Sequence, residues 1–115
     1  MEVIMAKLEL TLSGDFDAIL QKIEYGILNG SISASLEERS DMLVGGARCS
    51  VRVFERYSYA GGNRVSLNVT LFKNENTICL CAVTAGGSQA MFFKINKWGE
   101  EAFLDKLKEV LYDVN

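Results

Sequence analysis

The second half of the chain alternates polar and apolar residues in runs that are separated by short clusters of Gly and Asn. Alternation at every second residue predicts strands with one buried face. The Gly/Asn clusters predict tight turns, which strands can share only as antiparallel neighbours. The chain contains no Pro, so Gly and Asn must make these turns. The predicted strands are 47–59, 64–72, 77–85 and 89–95, with turns at 61–63, 73–76 and 86–88.

Further elements precede and follow these strands. Residues 7–12 and 31–36 alternate as strands, and the charged residues 37–46, which end in two glycines, are predicted to form a loop. Residues 15–28 repeat apolar side chains at helical spacing, with Ser13 or Asp15 as the N-cap. A last helix follows residue 99, and its apolar positions are Phe103, Leu104, Leu107, Val110, Leu111 and Val114.

One apolar stripe on each helix predicts that both helices cover the same face of the sheet. We therefore predict a single α+β domain over residues 1–115, with one antiparallel sheet of about five to six strands and two helices on one face. This element order resembles the helix-grip architecture of the TATA-binding-protein and birch-pollen-allergen type.

Matching the apolar faces of neighbouring strands predicts the hairpin registers. Val53 opposite Val69 and Leu71 opposite Ile78 keep the core continuous, with Cys49 on the core side. The other face is then partly apolar and rimmed by arginine. It is predicted to carry Arg48, Arg52, Phe54, Arg56, Arg64, Phe72, Cys79, Cys81 and Val83.

Four of the five arginines are therefore expected on this second face. Guanidinium groups bind carboxylates and phosphates with two parallel hydrogen bonds. The candidate ligand-binding or interface residues are Arg48, Arg52, Phe54, Arg56 and Arg64. A solvated face, on which the arginines pair with Glu37, Glu38 or Asp41, is the alternative that the sequence leaves open.

The composition removes several kinds of chemistry. The chain has no His, so Ser-His-Asp and Cys-His catalysis and His-ligated zinc are absent. Cys79 and Cys81 are too few ligands for a zinc site, because the sequence has no His and no fourth Cys. Gly86-Gly87 is not followed by the Lys-Ser/Thr of a phosphate-binding loop. We expect no catalytic residue, no metal, no cofactor and no enzymatic activity.

Charge and hydropathy limit the partners. The net charge of −3 argues against nucleic acid as a partner. No apolar run approaches the roughly 20 residues of a membrane span, and no signal peptide is visible. Three Cys in a chain that is not rich in disulfides favour reduced thiols and a cytoplasmic location.

Four stretches carry a family resemblance: MAKLELTLSGDF (5–16), LNGSISAS (28–35), GGNRVSLNVT (61–70) and GGSQAMFFKI (86–95). Together they resemble a family of small bacterial proteins, largely from Firmicutes, whose function is unknown. The resemblance implies a bacterial, cytoplasmic, stand-alone domain. It implies no activity and no site residue.

Two functions from different classes remain. The first is a non-enzymatic binding module for a small or anionic ligand, held on the arginine-rimmed face because large core residues leave little cavity under the helices. The second is a homodimer or larger homo-oligomer that packs the amphipathic outer faces of its sheets together.

Overall fold

A computed structural model describes residues 4–30, 33–57, 64–86 and 103–112. Within these residues the chain forms one five-stranded antiparallel sheet and two helices, which confirms the predicted α+β fold. The strand order is β1-β5-β4-β3-β2. The elements are β1 (Ile4–Leu12), α1 (Phe16–Asn29), β2 (Ser35–Val44), β3 (Ala47–Tyr57), β4 (Arg64–Asn74), β5 (Thr77–Gly86) and α2 (103–110). The predicted strand at 89–95 lies outside the described residues.

Helix α1 begins and ends where its sequence predicts. The carboxylate of Asp15 accepts a hydrogen bond from the backbone N–H of Ala18 at 2.9 Å and caps the helix, which ends at Gly30. Both helices pack on one face of the sheet, which we call the inner face. Its core residues include Leu67, Leu71 and Leu80, none of them more than 2% exposed. The helices add Phe16, Ile19, Leu20, Ile23, Ile27, Phe103, Leu104, Leu107 and Leu111.

Two glycines let the helices approach each other closely. A Cβ atom on Gly26 would lie 2.4 Å from a methyl carbon of Val110, and one on Gly30 would lie 2.8 Å from the Cδ of Lys106. Real Cβ atoms do not come so near to their neighbours. Gly26 therefore allows the close contact of α1 with Val110 of α2, while a side chain at the C-cap Gly30 would also meet the backbone oxygen of Gly26, at 2.7 Å.

The predicted loop at 37–46 is wrong. Most of this segment belongs to β2, which pairs with β3 along its whole length through a two-residue turn at Gly45 and Gly46. Gly45 has a φ of +58°, which such a turn favours. The apolar alternation is missing because β2 is an edge strand with little buried surface, and a bulge at Glu37 shifts its pattern. Charged side chains are typical of exposed edges.

The predicted register of the β3–β4 hairpin is also wrong. Arg52 pairs with Val69 and Phe54 with Leu67, so partners have opposite parity. The slip moves every side chain of β3 to the opposite face. Arg48, Arg52, Phe54 and Arg56 therefore lie on the inner face rather than on the outer one.

The β4–β5 hairpin keeps the predicted faces but not the predicted partners. Leu71 pairs with Leu80 rather than with Ile78. Because the shift is two residues, every side chain of the two strands stays on its predicted face. Cys79, Cys81 and Val83 thus face away from the helices, as expected. Cys49, predicted on the core side, pairs with Phe72 and joins them on the outer face.

Candidate functional site

Three arginines of β3 reach from the inner face of the sheet to the two helices. Arg48 donates two hydrogen bonds to the carboxylate of Asp17, at 2.8 and 3.2 Å, and its guanidinium lies 4.2 Å from the ring centroid of Phe16. Both partners lie in the first turn of α1. The hydrogen bond from Arg48 lowers the pKa of Asp17 and the pair raises the pKa of Arg48.

Arg52 lies deepest, with a side chain only 5% exposed. Its Nε donates to Glu24 of α1 at 2.5 Å, and its Nη2 lies 3.0 Å from Oδ1 of Asp41 on β2. Its Nη1 donates to the backbone oxygens of Val51 and Ser40, at 2.9 and 3.3 Å. Burial alone would lower the pKa of Arg52, but the bonds to the two carboxylates raise it. This guanidinium therefore links α1 to the edge strand β2.

Asp41 is held by two neighbours. The hydroxyl of Ser50, itself buried, donates to Asp41 at 2.6 Å. That bond, assisted by Arg52, lowers the pKa of the Asp41 carboxyl below its usual range. Arg52 thus pairs with Asp41, one of the partners that the alternative of a solvated face named, but it does so on a buried face rather than a solvated one.

The remaining members of the predicted site are divided between the two faces. Phe54 is fully buried in the core, and Arg56 lies over the ring of Phe103 on α2, 4.4 Å from its centroid. Arg64 stays on the outer face, where it forms an ion pair with Glu55 and lies 3.9 Å from Glu37. The structure therefore brings together Arg48, Arg52 and Arg56 as contacts to helices, and separates Arg64 from them.

The sequence carried a signal for these contacts. Asp17 and Glu24 are seven residues apart, which is about 10 Å on one side of a helix. Arg48 and Arg52 are four apart, which is about 13 Å along one side of a strand. Matched spacings of opposite charge on two elements indicate facing elements. That pattern, together with the apolar Phe54 between Arg52 and Arg56, indicates that these arginines lie on the inner face.

The outer face has its own composition, which follows from the five-strand register. One row crosses the whole sheet through Met42, Cys49, Phe72, Cys79 and Thr11. The next row contains Ser40, Val51, Thr70, Cys81 and Glu9, and the third contains Glu38, Val53, Asn68, Val83 and Lys7. We call these three rows the outer patch.

The outer patch has an apolar row at Met42 and Phe72, and its charged residues lie on the two edge strands, with Glu38 on β2 and Lys7 and Glu9 on β1. Met42 is 53% exposed and Phe72 is 42% exposed, and the thiol-bearing Cys79 is exposed as well. Val51, Val53 and Cys81 are half-buried. A shallow depression of about 430 Å³ lies beside Phe72, and Glu9, Thr11, Thr70, Cys79 and Cys81 are among the residues that line it.

Within residues 4–30, 33–57, 64–86 and 103–112, no three His, Cys, Asp or Glu side chains form a group that could hold a metal ion. No helix in the described part of the chain is long and apolar enough to span a membrane.

The model of one protein family matches residues 5–115, and its description is a family of unknown function, DUF6054. The chain belongs to this family. The match begins at Met5, where the resemblance noted in the sequence also begins. No curated protein matches the chain.

Solved structures share the fold at low sequence identity. PA94 from Pseudomonas aeruginosa, a protein of unknown function, is 11% identical with a TM-score of 0.51, over 89% of this chain and 81% of that one. MLL2253 from Mesorhizobium loti is 14% identical with a TM-score of 0.51, over 96% and 98%.

Norcoclaurine synthase from Thalictrum flavum, solved with dopamine and hydroxybenzaldehyde, is 12% identical with a TM-score of 0.51, over 99% of this chain and 89% of that one. These likenesses show the helix-grip fold, which the element order had predicted.

Proposed function

We propose that this chain is a non-enzymatic interaction module that forms a homodimer through the outer patch. The observation that carries the proposal is the exposed apolar row at Met42 and Phe72, on the sheet face that the helices do not cover. Exposed apolar surface with a charged margin is typical of protein interfaces. The inner-face arginines have partners within the chain, which leaves the outer face as the better candidate surface.

The outer face is large enough for a stable contact. Five strands about 4.8 Å apart and ten residues long present about 800 Å² of sheet. A standard protein interface buries about 800 Å² on each partner. Two sheets can pack face to face in this way when their side chains interdigitate, as in a β-sandwich.

The test is light scattering after size-exclusion chromatography over a range of protein concentrations. The wild-type protein should have twice the chain mass of 12.7 kDa. Phe72→Glu places a charge inside the interface and should give a monomer with an unchanged circular dichroism spectrum. Tyr25→Glu is the matched control, because Tyr25 is 66% exposed on α1, and it should remain a dimer.

A wild-type monomer at every concentration would overturn the proposal. A dimer that persists in Phe72→Glu would also overturn it, because the contact would then lie on another surface.

A second candidate is a small ligand bound in the depression beside Phe72. Glu9 lines this depression and none of the described lining residues is a cation, so an uncharged or cationic ligand fits it better than an anion. The apolar wall of the depression and its hydroxyl and thiol groups suit a small amphipathic molecule. Native mass spectrometry of protein purified from its own cells tests this candidate. A retained small molecule that is lost in Thr70→Trp, which fills the depression, would support it. A bare chain mass would count against it.

A further inference from the structure

We infer that the two-fold axis of this dimer runs parallel to β4, so that Cys49 of each copy faces Cys79 of the other. The inference rests on the homodimer proposed above. It starts from the order of the five described strands, in which β4 has two strands on either side of it. Identical subunits most often pair through a two-fold axis that brings the same patch of each together.

Rotation about an axis parallel to β4 exchanges β3 with β5 and β2 with β1, and it keeps every residue in its own row. Phe72 of one copy then lies against Phe72 of the other. Cys49 faces Cys79, Val51 faces Cys81, and Val53 faces Val83. The apolar middle of the outer patch thus covers the apolar middle of the second copy.

The charges at the two sides agree with the same axis. Glu38 on β2 and Lys7 on β1 belong to one row, at opposite edges of the sheet. The rotation places Glu38 of each copy over Lys7 of the other, twice in one dimer. The exposed side chain of Lys7 is 3.4 Å from Glu9 within its own chain, so it can exchange a weak surface pair for this contact.

The alternative two-fold axis lies across the strands and places each strand on its own copy. Centred on the face, that axis sets the row of Met42 and Phe72 against the opposite end of the sheet, where Glu55 and Ser66 lie. Apolar side chains would then cover the ion pair of Glu55 and Arg64, and burying that pair costs the hydration of both charges. The axis along β4 avoids this mismatch.

The three thiols of the outer face allow a direct test with a bismaleimide whose span matches the distance of about 10 Å between packed sheets. That distance is too long for a disulfide, so a cross-linker is needed. Cys81→Ser keeps Cys49 and Cys79, and should form a covalent dimer on a denaturing gel. A cross-link between these two thiols within one chain leaves the mass of a monomer. The matched controls keep one thiol each: Cys79→Ser with Cys81→Ser, and Cys49→Ser with Cys81→Ser. Each control should give less covalent dimer, because like thiols lie on opposite sides of the axis and are about 14 Å apart.

Light scattering on the same samples before cross-linking separates the two proposals. If every variant is a monomer, the proposed homodimer itself is overturned. If the variants are dimers and the protein that keeps only Cys49 cross-links as well as Cys81→Ser does, the axis along β4 is overturned while the homodimer stands. Dimers in which Cys81→Ser fails to cross-link would overturn the axis as well.

Discussion

The guanidinium of Arg52 makes a buried polar contact between α1 and the sheet, and a single substitution removes that contact. Its two carboxylate partners are unequally exposed: the side chain of Glu24 is 24% exposed and that of Asp41 is 57% exposed. Arg52→Met removes the charge but keeps most of the volume. Water can then reach the abandoned carboxylates in part, so we expect a loss of about 2 kcal/mol in the free energy of unfolding.

Glu24→Leu removes the other partner of the pair, and it should lower the free energy of unfolding by more than Arg52→Met does. It leaves the buried cation with Asp41 as its remaining carboxylate, and breaking a buried pair from one side costs about 3–5 kcal/mol. Because Asp41 stays in place, we expect about 3 kcal/mol, the lower end of that range. The double variant puts Met against Leu and should lose only about 1–2 kcal/mol, since apolar residues can replace a buried ion pair at little cost.

Urea unfolding, followed by circular dichroism at one fixed protein concentration, measures all three values. With a slope of about 1.5 kcal/mol per molar urea, the midpoint should fall by about 1.3 M for Arg52→Met and about 2 M for Glu24→Leu. Glu109→Gln, which changes an exposed acid of α2, should stay within about 0.5 kcal/mol of wild type. Additive losses in the double variant, within about 0.5 kcal/mol, would refute the coupling between Arg52 and Glu24.

Three further predictions concern the helix contact, the first hairpin and acid stability. Gly26→Ala should lower the free energy of unfolding by about 1–3 kcal/mol through the clash with Val110, and adding Val110→Ala should restore part of the loss in the same urea assay. Gly45→Ala should cost about 1 kcal/mol because of its positive φ, whereas Gly46→Ala, which has equally open surroundings, should cost less than about 0.5 kcal/mol; equal losses would contradict the turn geometry. The lowered pKa of Asp41 means that its native carboxylate binds fewer protons than the unfolded one, so its stabilisation is complete above the ordinary pKa of 3.8 and is lost as the pH falls through the lower native value. Asp41→Asn should therefore flatten the decline of stability between about pH 5 and 2, and a slope equal to that of wild type would argue against the ionic contact.

The fold could be predicted because most elements bury one clear face. The helical spacing from Phe16 to Ile27 leaves a single apolar stripe, and the alternation from Val65 to Leu71 leaves a single apolar side. Because these patterns depend only on which residues are buried, a wrong prediction for a neighbouring segment does not change them. The predicted faces of β4 and β5 were confirmed for this reason, even though their pairing was off by two residues.

The candidate site failed at β3, where both sides of the strand are partly apolar. Val51 and Val53 point outward and are half-buried, while Phe54 and Arg52 point inward and are buried. Binary patterning assigns valine to the core and arginine to the solvent. It therefore fails when an arginine is buried with carboxylate partners that lie on distant elements. The same limit applies to β2, whose hydrogen bonds to β3 need no apolar side chains.

The position of β1 has a consequence for synthesis on the ribosome. This strand is made first among the described elements, yet the described strand with which it pairs is β5, with Leu12 opposite Ile78 and Ile4 opposite Gly86. At translation rates of about 5–20 residues per second, β1 waits about 4–15 s for that partner to be made. Throughout this interval an amphipathic strand is available to other nascent chains, while the hairpins of β2, β3 and β4 can already close locally. The synthesis of β5 therefore ends the interval in which β1 has not yet paired with it.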